Sequence, residues 1–352
     1  MCVNHLVAVQ LNKGKYGVNY IVEHPSYIVG GSNTDGPGVW PWICSAGFLS
    51  GDKWEHRCGA VLVTFKHALT AAHCSKTGEI LQIRCGDYHL SNSSDDKMVQ
   101  LGDVIDFVNH DKYNPALINY DVSVLYLESE LQNTSFVRPI CLTQVEMPNT
   151  AVTVLGWGLD ENRVHSMELK KTVQQILSPQ RCERALGPAL WRHGGFGADL
   201  FCAADPTGAV TGSCSGDSGG PIFELNSNGT LRYELRGLVN GGKRCGAFNT
   251  PDIYTSTTYP EIYKWIRDII ECTDGKQCVP RNECPDVEAK YKMFEAETTK
   301  NALKENTRKE LRNMVCDQQE KLFCCKGENK GYYKLLHNAN EYYFRPRPKT
   351  QV

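Results

Sequence analysis

The sequence predicts an all-β architecture, a barrel or a sandwich, followed by a small cysteine-rich module. Three observations predict it. From Ile28 to about Ile270 the chain runs in short β-rich stretches broken by Gly, Pro, Asn and Asp. One segment there, Tyr259–Ile270, carries apolar residues at sustained helical spacing. After Cys272 the texture changes to a polar segment set between six cysteines.

In chain order, residues 1–27 form a short polar leader. Gly59–Val63 (GAVLV), Val122–Leu127 (VSVLYL), Val152–Leu155 (VTVL) and Leu235–Val239 (LRGLV) read as strands, because β-branched and aliphatic residues pack well on a pleated surface. In Tyr259–Ile270, residues Ile262, Trp265, Ile266, Ile269 and Ile270 share one helical face. Residues 272–325 hold the cysteine module, with a helix-prone stretch at Asp286–Met314. Residues 326–352, rich in Lys, Asn and Tyr, lack any core pattern and are expected to be disordered.

A chain of 352 residues is long for one domain and comfortable for two. Hydrophobic residues at 41% and charged residues at 22% suit a soluble globular protein. The net charge of −2 leaves no global field to draw nucleic acid. Residues 272–352 carry +4 and the rest −6, a mild asymmetry that agrees with two differently built parts. No stretch approaches the roughly 20 apolar residues of a membrane span. Sixteen cysteines, an even number, point to structural disulfides in an oxidising compartment. Sequons at Asn92, Asn133 and Asn228 agree with secretion and are candidate glycosylation sites. Met1–Gln10 lacks a basic start and makes a poor signal peptide, so the expectation is a start further upstream.

Three segments carry the chemistry: Thr70–Cys74 (TAAHC), Tyr120–Leu125 (YDVSVL) and Gly216–Pro221 (GDSGGP). Peptide hydrolysis needs a hydroxyl made nucleophilic at neutral pH. An imidazole must take its proton, and a buried carboxylate must hold that imidazole in the right tautomer. The developing oxyanion needs fixed N–H donors, which a Gly-rich turn around the nucleophile supplies. The three segments offer a His, an Asp and a Ser for these roles.

With Ile28–Gly31 (IVGG), Gly156–Gly158 (GWG) and Pro251–Thr255 (PDIYT), they resemble the motifs of trypsin/chymotrypsin-family serine proteases over Ile28 to about Ile270. That family is a standard template for the triad. The resemblance implies a double six-stranded β-barrel with a C-terminal helix. It implies Ser218 as nucleophile, His73 as general base and then acid, and Asp121 as the group that orients His73. The N–H groups of Gly216 and Ser218 would form the oxyanion hole, and no cofactor or metal is required. It also implies a zymogen: cleavage before Ile28 frees an α-amine that pairs with Asp217, a buried ion pair without which the oxyanion hole is malformed. Tyr27 stands where relatives usually carry Arg or Lys, so either a chymotrypsin-like protease activates the chain or activation is inefficient.

The same resemblance pairs Cys58–Cys74, Cys182–Cys202 and Cys214–Cys245. It ties Cys141, in RPICL, to the leader cysteine Cys2, and leaves Cys44–Cys85 on neighbouring strands. The last six cysteines resemble an arthropod clip domain, which favours Cys272–Cys324, Cys278–Cys316 and Cys284–Cys325. Six cysteines alone allow 15 connectivities. Another small disulfide module is the alternative.

The substrate pocket departs from the trypsin pattern. Gly212 stands where trypsin-like relatives have Asp. Asp252 stands where most have Gly, so the carboxylate has moved across the pocket floor and a weaker preference for basic P1 residues is expected. Asn240-Gly241-Gly242 replaces the usual Ser, aromatic and Gly. In the alternative reading, Asp252 turns away or is neutralised by Lys243 or Arg244. As a whole, the sequence points to a secreted endopeptidase of an arthropod-type extracellular cascade in immunity or development. Its partners would be protein substrates, an activating protease and serpin-type inhibitors. A venom or digestive protease, or a non-catalytic adaptor on the same fold, is the alternative.

Overall fold

The computed structural model describes residues 32–34, 36–75, 80–91, 98–145, 151–159, 163–187, 195–208, 212–226, 232–242, 250–271, 276–280, 315–317 and 322–326. The chain divides into two compact units, Met1–Ile266 and Arg267–Val352.

In the first unit, strand β1 (Ser32–Asn33) precedes a closed antiparallel barrel. Its strands are β2 (Ile43–Ser50), β3 (Lys53–Thr64), β4 (His67–Thr70), β5 (Gln82–Cys85), β6 (Gln100–Asn109) and β7 (Ser123–Leu127). They close in the order β2-β3-β4-β7-β6-β5. The expected run Gly59–Val63 is the buried half of β3. It and its neighbours pack Leu62, Ala68, Ile83, Leu125 and Leu127 into one apolar interior, each of these side chains fully enclosed. Each Leu or Ile burial among them contributes about 1.5–3 kcal/mol. Cys44 and Cys85 face each other directly across β2 and β5 and are disulfide-bonded there.

The second barrel follows a two-residue strand, β8 (Cys141–Leu142). Its strands are β9 (Ala151–Gly156), β10 (Lys170–Ile176), β11 (Leu200–Ala204), β12 (Pro221–Asn226), β13 (Arg232–Gly242) and β14 (Asp252–Ser256). The path β10-β11-β14-β13-β12-β9 closes through the β10–β9 pairing, while β1 and β8 add to its rim. Two closed six-stranded barrels therefore stand where the sequence implied them.

The helix expected at Tyr259–Ile270 is α2, Pro260–Glu271, with Ile262 and Ile266 buried. A shorter helix, α1 (Pro179–Leu186), was not anticipated. Its signals are local: Ser178 caps it by accepting from Arg181 N–H, Pro179 opens it, and Gly187 at φ 64° ends it. In the second unit, β15 (Lys276–Pro280), β16 (Val315–Asp317) and β17 (Leu322–Lys326) form a three-stranded antiparallel sheet in the order β15-β17-β16. The expected helix-prone stretch, the six module cysteines' side chains and the tail from 327 onward lie outside the described residues.

Candidate active site

His73 sits on a single helical turn, Ala72–Cys74, directly after β4. The Cys58–Cys74 disulfide fastens that turn to β3. Asp121 lies just before β7. Its Oδ2 stands 2.6 Å from His73 Nδ1, and its Oδ1 accepts the His73 backbone N–H at 2.8 Å. Both carboxylate oxygens are thus engaged by one residue. That arrangement keeps the proton on Nδ1 and leaves Nε2 as the acceptor. The Asp121 side chain is 4% exposed and that of His73 36%, so the imidazole alone meets solvent.

The segment between the backbone of Asp121 and the second barrel is clamped. Tyr120 has φ 53°, a left-handed conformation that costs a side-chain-bearing residue about 1–2 kcal/mol. Buried Asp199 holds it there: one oxygen accepts from Tyr120 N–H at 2.6 Å, the other from Asn119 Nδ2 at 2.9 Å. Asn240 Nδ2 donates to the Ile118 carbonyl at 2.6 Å and to Thr255 Oγ1 at 3.0 Å. Two side chains of the second barrel therefore grip three successive residues ahead of Asp121. Asn240, expected on the pocket wall, spends its amide on this clamp. The residues Asp199 and Tyr120 were missed from sequence, because neither spacing nor composition reveals a backbone strained by tertiary contact.

Ser218 occupies a turn between β11 and β12. Gly216 at φ 99° and Gly219 at φ 75° take conformations that glycine alone adopts without strain. The Ser218 carbonyl accepts from Gly59 N–H at 2.8 Å, and Gly219 N–H donates to Val239 at 2.8 Å, so both barrels hold the turn. Among the described residues, the N–H groups of Gly216 and Ser218 donate to no protein acceptor, and no hydrogen bond joins Ser218 Oγ to His73. Such bonds are often long in unliganded enzymes and tighten with substrate.

Behind the turn lies Asp217, wholly buried. Gly158 N–H donates to its Oδ1 at 2.7 Å and Cys214 N–H to its Oδ2 at 2.8 Å. Burial pushes its pKa up to about 7 against the pull of these two donors, and Asp252 adds to the rise. A Cβ on Gly156 or Gly158 would fall on the carboxylate itself. That is a physical reason for glycines in GWG. Ile28 lies outside the described residues. Close by, His56 Nε2 stands 2.9 Å from the Gly216 carbonyl and Nδ1 2.7 Å from Ser45 Oγ. Burial lowers its pKa to about 4, so it is neutral at physiological pH.

Asp252 opens β14, 5% exposed. Ser213 N–H donates to Oδ2 at 2.7 Å, Gln174 Nε2 at 3.0 Å and Tyr254 OH at 3.5 Å. Burial raises its pKa to about 6 in spite of these donors. A Cβ on Gly212 would lie 2.7 Å from Oδ2, so the two residues do border one space. Gln174 is a buried amide in the middle of β10, and sequence reasoning had passed over it. Lys243 and Arg244 lie outside the described residues.

Cys182–Cys202 joins α1 to β11. Cys141 and Cys214 are disulfide-bonded too, and the partners assigned to them, Cys2 and Cys245, lie outside the described residues. Of the three sequons, Asn133 is exposed, and Asn92 and Asn228 lie outside the described residues. Cys58, His73 and Cys74 bring donor atoms within 4.8 Å of one another, but both sulfurs are committed to one disulfide and offer no thiolate to a metal. No described helix is long and apolar enough to cross a membrane.

Comparison with known proteins places this geometry. The Trypsin family model matches residues 28–266. Clotting factor C of Tachypleus tridentatus is 31% identical over 261 residues, which is 69% of this chain and 25% of that protein. Chymotrypsin-C of Mus musculus is 28% identical over 250 residues, 69% of this chain and 89% of that protein. Phenoloxidase-activating factor 1 of Holotrichia diomphalia is 28% identical over 244 residues, 62% and 64% of the two chains. The chain thus spans only about a quarter of the length of the clotting factor.

Proposed function

Because the chain belongs to the trypsin family of serine endopeptidases, we propose that it is a secreted endopeptidase made as a zymogen and acting in an extracellular proteolytic cascade. The observation that carries the chemistry is the double grip of Asp121 on His73, beside a turn that presents Ser218.

His73 Nε2 takes the proton of Ser218 Oγ as that oxygen adds to the scissile carbonyl carbon. The carbonyl oxygen, now an anion, sits against the N–H groups of Gly216 and Ser218. Asp121 stabilises the imidazolium. Collapse breaks the C–N bond, and the leaving amine takes the proton from Nε2. Water then adds to the acyl ester by the same route and restores the Ser218 hydroxyl.

Cleavage after Tyr27 frees the Ile28 amine. An ammonium is what the Asp217 carboxylate needs: it sits in a fully enclosed site with two backbone donors. Asp252 at the pocket floor favours a basic P1 side chain. The cascade role is supported by relatives whose names are clotting factor and activating factor. Partners are then protein substrates, an upstream protease and serpin-type inhibitors, and the clip-like module, residues 272–325, docks them.

A fluorophosphonate probe tests the reading. Chain cleaved before Ile28 should be labelled at Ser218, and the uncleaved chain should not. Cleaved, folded protein that stays unlabelled would instead be an adaptor on a protease fold.

A further inference from the structure

The first barrel carries a second recess, on its outer face. A cleft of about 600 Å³ opens where β6 parts from the chain that follows β7, and its lining lies within residues 98–136. β6 and β7 pair from Asn109↔Ser123 to Val104↔Leu127. One further bond, from Glu128 N–H to the Asp103 carbonyl at 2.9 Å, ends that ladder. The chain then veers away, and Leu131 N–H donates to the Phe65 carbonyl at 2.9 Å. The Gln100 side chain closes the far end. Its Nε2 donates to the Gln132 carbonyl at 2.9 Å, and its Oε1 accepts from Gln132 N–H at 2.6 Å.

Between these two ends a rung of the ladder is unmade. The N–H and C=O groups of alternate strand residues face the same side. Those of Leu101 therefore face the cleft, as the Asp103 carbonyl does, and among the described residues nothing on that side pairs with them. Part of the lining is apolar: Met98 is 42% exposed, Leu101 48%, and half-buried Phe136 joins them. The rest is rimmed by the exposed carboxylates of Asp103, Glu128 and Glu130. Among the described residues, Glu128 and Glu130 make no ion pair or side-chain hydrogen bond, and Asp103 spends only Oδ1, on Gln82 Nε2 at 2.7 Å. No lysine, arginine or histidine is among the residues that line the cleft.

Apolar surface beside unpaired acceptors suits a long basic side chain, which is aliphatic along its stem and cationic at its tip. From this complementarity we propose that the cleft is a docking site for a basic segment of a partner protein. One Lys or Arg side chain lies along Met98, Leu101 and Phe136, with its cation among Asp103, Glu128, Glu130 and the open Leu101 carbonyl.

Other occupants fit less well. A purely apolar segment would strip water from three carboxylates and return nothing to them. A second copy of the barrels brings the wrong sign, since residues 1–271 carry −6. Charge of one sign around a cleft also speeds the encounter with a partner of the other sign. The lining shares no residue with the triad, the turn of Ser218 or the Asp252 pocket, so the proposal does not rest on the endopeptidase reading.

The test uses the full, uncleaved chain carrying Ser218→Ala, so that the probe is not hydrolysed. The probe is a fluorescein-labelled dodecapeptide, four repeats of Arg-Gly-Ser, read by anisotropy against a twin with Glu in place of Arg. The basic peptide should bind, more weakly as salt is raised, and the acidic twin should not. Glu128→Gln with Glu130→Gln, a pair of shape-preserving changes, should weaken binding about fivefold or more, as expected for two exposed carboxylates. Leu101→Ser keeps every charge and should weaken it about threefold, because the stem loses its apolar support. Glu183→Gln, a control on exposed α1, should leave the affinity unchanged. Equal weakening in that control would mean general attraction to an acidic protein and would overturn the site. So would undiminished binding in the double variant, or no binding of the basic peptide at all. Self-association of the chain that the double variant abolishes would assign the cleft to a second copy instead. None of these outcomes bears on fluorophosphonate labelling of Ser218, so the two readings fail separately.

Discussion

The two barrels share a strand count and differ in what they enclose. The first is filled by aliphatic side chains and a disulfide: Ala60, Leu62, Ile83, Leu125, Leu127 and the Cys44–Cys85 pair. The first also buries Asp87 and Asp121, but the second buries more carboxylates: Asp199, Asp217, Glu224, Glu234 and Asp252. Asp199, Asp217 and Asp252 are each enclosed, each held by backbone N–H groups, and each within reach of the proposed reaction. Burying an acid costs free energy that an apolar residue of like size would spare. The lesson is a division of labour. One barrel supplies a rigid wall that carries His73 and Asp121. The other gives up stability to place charge beneath the turn of Ser218 and under the pocket.

The largest effect tests whether the two walls act as a unit. His73→Ala, on the first, and Ser218→Ala, on the second, should each lower kcat by about five orders of magnitude, and the double variant should fall scarcely further. Additive losses, read from single-turnover assays, would mean that the walls contribute separately.

The second effect concerns the cost of the buried acids. The folded pKa of Asp252 is raised from 3.8 to about 6, so between these values the native state holds a proton that the unfolded chain has lost. Stability then falls as pH rises from about 4 to 7, by about 2–3 kcal/mol for this group, and is flat above and below. Asp217, raised to about 7, adds to the same slope in the uncleaved chain. Urea unfolding from pH 4 to 8 measures it. Buried His56 and His67, both lowered to about 4, contribute the opposite slope, so the readout is the difference between wild type and Asp252→Ala. A difference that does not fall as pH rises through this window would refute the cost assigned to Asp252.

The smallest effect concerns the clamp that lets one barrel tune the other. Asp199→Ala frees Tyr120 from its strained backbone and lets Asp121 drift. It should lower kcat about tenfold with KM little changed, a misplacement effect and not a binding one. Unchanged kcat in stably folded protein would show that Asp121 needs no help from across the interface.

Much of the first barrel could be read from sequence, because its interior obeys the hydrophobic pattern. GAVLV and VSVLYL are apolar runs, and β3 and β7 bury them. The chemistry-bearing motifs were legible because the reaction demands a His, an Asp and a Ser in Gly-rich company. The second barrel was read less fully for the same physical reason. Gln174 and Asp252 break the pattern, and their partners are 78 residues apart in the chain, a distance no local rule spans. Asn240 was expected to face substrate and instead braces the loop before Asp121. The strain at Tyr120 has no signature in composition at all. Helix α1 could have been found, since its cap, its proline and its closing glycine are all local signals.

The glycines of GWG have a consequence for how this chain can change over generations. Any replacement at Gly156 or Gly158 adds a Cβ, and both Cβ positions are already taken by the Asp217 carboxylate. The two glycines are therefore hostage to a third position far along the gene. A descendant that gave up hydrolysis could not drift at 156 or 158 first. It would have to lose the acid at 217, and only then would the glycines be free to vary. The order of substitutions is written into the packing, so a non-hydrolytic descendant with side chains at 156 or 158 would carry the earlier loss at 217 as its mark.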